Sequence, residues 1–162
     1  MKNAYRNIAV TSIATLALGW GSLAIAQESA TFDATAEVAA VCEITAGNAL
    51  AFGQYNPVTA AAVEATTTIS VTCSDGMTGT EVGLVSSGEM SDNATTPNAL
   101  AYGLFQEASR TTAWGDSVGV DRQSVAADGM AQVMTVYGRI NADQTTAPVG
   151  SYAETVTATV YF

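Results

Sequence analysis

Cys42 and Cys73 are the only thiols in the chain, and no histidine accompanies them. Two thiolates alone do not complete a tetrahedral zinc site, so the chemistry open to them is oxidation to a disulfide. Nucleophilic catalysis has little to work with, because a serine needs a base and the only lysine is Lys2. Nothing in the spacing of the carboxylates places two acids at one site. Trp114-Gly115-Asp116 has the aromatic face and carboxylate of a sugar platform, although a lone Trp beside Gly more often anchors a loop on the core. Tyr137-Gly138-Arg139 reads as a strand in which glycine permits a bulge or close approach, with Arg139 expected to meet a carboxylate. Asp75-Gly76 and Asp128-Gly129 lack the spaced acids of a calcium loop and read as turns, while Asn93-Ala94-Thr95 fits a glycosylation sequon by chance. The expectation is no catalytic residues, no metal and no cofactor.

Compartment decides the thiols. Lys2 and Arg6 precede an apolar run from Ile8 to about Ala26 that closes on Ala24-Ile25-Ala26. Charge, apolar stretch and small-x-small site are the order of a secretory signal peptide, so residues 1–26 are assigned as a leader cleaved after about Ala26. An uncleaved anchor is the weaker reading, since small polar residues interrupt the run. In an exported chain a Cys42–Cys73 disulfide is the default, worth roughly 3 to 4 kcal/mol by loop closure. From residue 27 onward Arg110, Arg122 and Arg139 stand against fifteen acids, a net charge of −12 (3 minus 15). Such a chain repels nucleic acid and anionic lipid, and no later segment is apolar enough to insert in a membrane.

The elements that must carry these residues are strands. Thr, Val, Ala, Gly and Ser dominate, and short alternating runs separated by turn residues show no helical period. The runs are Val41 to Thr45, Thr67 to Ser74, Thr80 to Ser86, Ala99 to Gln106, Gln132 to Ile140 and Ser151 to Phe162. Six strands make an all-β sandwich one short of the seven of a constant-type immunoglobulin domain. The last strand should therefore border a groove of apolar side chains and unpaired backbone.

Ahead of these runs lies one strand too many. In Thr31–Cys42, Phe32, Ala34, Ala36, Val38 and Ala40 share one face, and no turn residue between Phe32 and Cys42 folds the segment back on its own domain. Ten residues span roughly 33 Å, enough to run along such a groove. A strand that leaves one chain and completes the next gives a head-to-tail contact that does not close, which is a filament. The small Ala34 and Ala36 imply a narrow groove.

Cys42 with Leu50-Ala51-Phe52-Gly53-Gln54-Tyr55, Ile69-Ser70-Val71-Thr72-Cys73, Leu100-Ala101-Tyr102-Gly103-Leu104-Phe105, Trp114-Gly115-Asp116, Val136-Tyr137-Gly138-Arg139-Ile140 and the closing GSYAETVTATVYF together resemble the spore coat protein U domain family. That family supplies subunits of archaic chaperone-usher pili. The resemblance implies an incomplete immunoglobulin-like sandwich completed by a neighbour's donor strand, with a periplasmic chaperone, an outer-membrane usher and identical or related pilin subunits as partners. It maps the donor onto Phe32, Ala34, Ala36, Val38 and Ala40, and the groove and chaperone contact onto Val156, Ala158, Val160 and Phe162. Phe105 stands where a second tyrosine is common, and a single domain with a full donor strand suits a shaft subunit better than a two-domain tip adhesin. The expected organisation is leader 1–26, donor extension 27–40 and pilin domain 41–162, exported through the periplasm to the cell surface for adhesion and biofilm formation. A secreted coat or matrix protein is the structural alternative. A monomeric periplasmic ligand-binding module, its groove closed in cis, is the alternative of another class.

Overall fold

The computed structural model describes residues 27–92, 94 and 98–162; the assigned leader, and Asn93 and Thr95 of the sequon, lie outside the described residues. Residues 27–36 and residues 37–162 belong to separate units. In the first, every residue is exposed and none is in a strand. In the second, the alternating runs become β1 (Cys42–Ala46), β2 (Val63–Cys73), β3 (Glu81–Val85), β4 (Glu89–Ser91), β5 (Ala99–Phe105), β6 (Gln123–Ser124), β7 (Ala131–Ile140) and β8 (Thr157–Tyr161). No described residue is helical.

Period-two alternation is the cause. On β2, Ile69, Val71 and Cys73 are buried while Ser70 and Thr72 between them face out, and on β7 Met134, Val136 and Ile140 are buried in the same way. Leu100, Tyr102 and Leu104 of β5 and Val82 and Leu84 of β3 complete one core. The first sheet has the order β1-β2-β7-β5-β4, and the second β6-β3-β8. Leaving out the two- and three-residue strands β6 and β4, the orders are those of the A-B-E-D and C-F strands of a constant-type immunoglobulin domain. The position beside β8, where a seventh strand would lie, holds no strand among the described residues. Cys42 and Cys73 are disulfide-bonded (S–S 2.07 Å), joining β1 to β2 at the pair where their register begins.

Trp114 is a core residue rather than a sugar platform. It is 3% exposed, its indole N–H donates to the Val82 carbonyl at 2.9 Å, and its backbone N–H donates to Leu104 O at 2.8 Å. It thus ties β3 of one sheet to β5 of the other. Gly138 is a close approach: a Cβ there would lie 2.7 Å from both Leu50 Cδ2 and Phe52 Cζ. Asp75-Gly76 and Asp128-Gly129 are turns, with Gly129 N–H bonded to Cys73 O and Met130 N–H to Asp128 Oδ1.

Two expectations need correction. Arg139 meets no carboxylate among the described residues; its guanidinium lies 5.1 Å from the Phe105 ring centroid. Its cross-strand neighbour Glu64 is already held by Arg110 at 3.0 Å. The Ser151–Phe162 run is not one strand. Ala153 exchanges both backbone hydrogen bonds with Ser91 at the edge of the first sheet, and the chain joins β3 of the second only from Thr157. Among the described residues no strand precedes Cys42.

Candidate strand-acceptor cleft

β8 is the edge strand of its sheet, and β1 is an edge strand of the other. Alternation turns Ala158 and Val160 inward, half-buried, with Val156 just ahead of the strand packed on the same core. Between the two edges a cleft of about 640 Å³ opens into the sandwich. Ile44 and Ala46 form one wall, Val156 and Ala158 the other, and Leu84, Met90, Tyr102 and Leu104 the floor. Leu50 and Phe52 reach into it from the segment after β1, where the glycine at 138 leaves them room, and the Phe52 ring meets Tyr102 edge-on at 5.8 Å. A second hollow of about 670 Å³ shares Leu50, Phe52, Met90 and Tyr152 and extends between residues 53–57 and 147–151.

The approach to β8 is fixed by a polar cluster at the mouth of the cleft. Glu154 accepts from Ser87 N–H and Ser86 Oγ, and Ser86 Oγ shares a 3.0 Å hydrogen bond with the Tyr102 hydroxyl. Burial pushes the Tyr102 hydroxyl up to about 12. Burial also raises Glu154, but hydrogen bonds from Ser87, Tyr102 and Ser86 outweigh it and hold the carboxyl below its ordinary value. At the far end Tyr161 donates to Asp116 Oδ2 at 2.9 Å, and the Arg122 guanidinium lies 3.5 Å from the Tyr161 ring centroid while bonding Asp116. β8 is therefore held by β3, by Glu154 and by Tyr161, and its free edge stays beside the cleft.

Of the residues expected at the groove, Val156 and Ala158 line it. Val160 packs on the core beyond the lining, and Phe162 ends the chain 62% exposed. The expected donor residues are all exposed, Phe32 at 91% and Val38 at 89%. Within the second unit, Ser74 fixes the backbone leading into β1: Ser74 N–H donates to Val41 O, Val41 N–H to Ser74 Oγ, and Ser74 Oγ to Ala39 O. Leu50, Phe52, Met90 and Tyr152 escaped sequence reasoning as cleft residues. The one available signal was the apolar spacing of Leu50 and Phe52, which has no strand to explain it.

The Spore Coat Protein U domain family model matches residues 28–159. The chain belongs to that family. Among solved structures, the spore coat protein U domain chain is similar to one described as the crystal structure of the CsuC-CsuE chaperone-tip adhesion subunit pre-assembly complex from archaic chaperone-usher Csu pili of Acinetobacter baumannii. The TM-score is 0.53 at 20% identity, covering 77% of this chain and 40% of that one. The likeness is one of fold, and this chain spans less than half the length of its counterpart. No curated protein matches.

Proposed function

We propose that this spore coat U-domain chain is a structural subunit of an extracellular chaperone-usher pilus, polymerised by donor-strand exchange. The observation that carries the reading is the free edge of β8 beside an apolar cleft, in a chain that also carries an alternating segment with no partner of its own. Family membership and the pilus origin of the similar structure support it. Phe32, Ala34, Ala36, Val38 and Ala40 of one subunit enter the cleft of the next, with Val156, Ala158, Val160 and Phe162 along the receiving strand. Burying Phe32 and Val38 contributes roughly 1.5 to 3 kcal/mol each. β8 has five residues, about 17 Å of ladder, so the donor pairs over about half its length and the rest lies over the second hollow. Before exchange a periplasmic chaperone covers the cleft and an outer-membrane usher receives the complex. The product is a shaft at the cell surface serving adhesion and biofilm formation.

The test is assembly from purified chaperone–subunit complexes. Ala36→Trp, a residue exposed in the chain alone, should leave the chaperone complex intact and stop polymerisation. Normal polymers from that variant, or a wild-type chain 27–162 that is a stable monomer without chaperone, would overturn the reading.

A further inference from the structure

We infer that the outer face of β1, β2 and β7 pairs with the same face of a second copy, so that filaments of this chain associate side by side; this rests on the filament reading above. The alternation that buries one face of β2 and β7 turns Thr66, Thr68, Ser70, Val133, Thr135 and Tyr137 outward, with Val133 68% exposed. The charged groups on this three-strand face are Glu43, Glu64, Arg110 and Arg139; Glu89, outward on β4, lies two strands beyond β7. Arg110 lies across it, bonded to Glu64 and 5.6 Å from the Tyr137 ring centroid. Two acids and two arginines cancel. From residue 27 on, the other thirteen acids face only Arg122, so the whole net charge of −12 lies off this face. Copies of a strongly acidic molecule repel one another wherever that charge is presented, and this three-strand face is where two of them meet without it.

The face is also self-complementary. Thr68 and Thr135 are cross-strand partners at its middle. At one end Glu43 sits opposite Thr72, and at the other Glu64 sits opposite Arg139 with Arg110 beside them. A two-fold axis running across the strands through the Thr68–Thr135 row exchanges the ends. It brings Val133 over Tyr137 of the second copy, and the end carrying Glu43 over the end with one surplus positive charge.

Size explains why the pairing belongs to filaments. Three strands about 4.8 Å apart and about 30 Å long offer roughly 400 Å² per copy. Two such faces bury about 800 Å², below the roughly 1,200 Å² of a stable pair. Single subunits therefore stay apart through this face, and repetition along two filaments supplies the avidity.

The experiment compares filaments of wild type, Thr45→Glu/Thr135→Glu and the off-face control Thr78→Glu by electron microscopy and light scattering, at about 0.15 M and about 1 M salt. The two glutamates are not cross-strand partners, so the sheet itself is not set against like charges. Wild type and control should bundle, more so at high salt where the charge off the face is screened, and the double variant should give single filaments at about 0.15 M. Bundles from the double variant equal to wild type, or single wild-type filaments at both salts, overturn the inference while leaving the filament reading intact. Should the double variant not assemble, Thr68→Glu takes its place under the same criterion. Absence of wild-type filaments under all conditions defeats the filament reading, and this inference with it.

Discussion

Trp114→Phe isolates what the buried tryptophan does. The indole N–H satisfies the Val82 carbonyl at 2.9 Å in a site 3% exposed, and phenylalanine leaves that carbonyl without a donor. An unsatisfied buried acceptor costs about 1 to 3 kcal/mol. The smaller ring also leaves part of the cavity that makes a full Trp→Ala deletion cost about 3 to 5 kcal/mol. Together the loss should be about 3 kcal/mol. For a domain of this size, between the small and large classes, each kcal/mol lowers Tm by about 4 °C, so Tm should fall by about 12 °C. The assay is thermal and urea unfolding of chain 27–162 carrying a second copy of its donor segment, residues 31–40, after Phe162 so that the cleft is filled in cis, followed by far-ultraviolet circular dichroism. Trp20 lies in the assigned leader, so Trp114 is the sole tryptophan there, and wild-type fluorescence should be that of a buried indole, red-shifting on unfolding. A stability change under about 0.5 kcal/mol, or a native emission like that of indole in water, would refute the account and return Trp114 to the role of an exposed platform.

Removing the disulfide with Cys42→Ser/Cys73→Ser should destabilise the domain by roughly 3 to 4 kcal/mol, read as a lower urea midpoint, because the bond closes a loop between residues 31 positions apart. Raising the pH should destabilise the fold between about 10 and 12: burial raises the Tyr102 hydroxyl above its ordinary value of 10.0, so its contribution is complete below pH 10 and lost as pH climbs through about 12. Tyr102→Phe should remove that phase from an alkaline unfolding titration. At the acid end, the hydrogen bond from the Thr111 side chain, joined by others from Thr112, Thr111 and Ser109, holds Glu107 at about 2, below its ordinary 4.5. Its contribution is present above pH 4.5 and lost as pH falls towards 2, and Glu107→Gln should flatten the acid limb of a stability–pH curve. Gly138→Val should crowd Leu50 and Phe52 towards the cleft and slow donor uptake in a stopped-flow exchange assay more than it lowers Tm.

Sequence periodicity was enough to find strands β1, β2, β3, β5 and β7 and inward residues of the last four, because a half-buried strand writes its burial into every second position. It also carried the disulfide, the all-β class and the missing seventh strand. It failed where pairing partners decide the outcome. Ser151–Phe162 alternates throughout, yet Ala153 found Ser91 in one sheet and Thr157–Tyr161 found β3 in the other, a division that no local pattern encodes. Arg139 had an acid directly across the strand, and only the fold could show that Arg110 had already taken it.

The sequence by itself determined the composition of this protein's parts: an acidic β-domain, two thiols set to pair, and an alternating segment with no turn to fold it home. Only the tertiary structure decided how wide the cleft is and that Leu50 and Phe52 line it. The physical reason is range. Alternation and turn chemistry act between neighbours in the chain, whereas a cleft is made by side chains such as Ile44, Tyr102 and Val156 that meet only when two sheets are stacked.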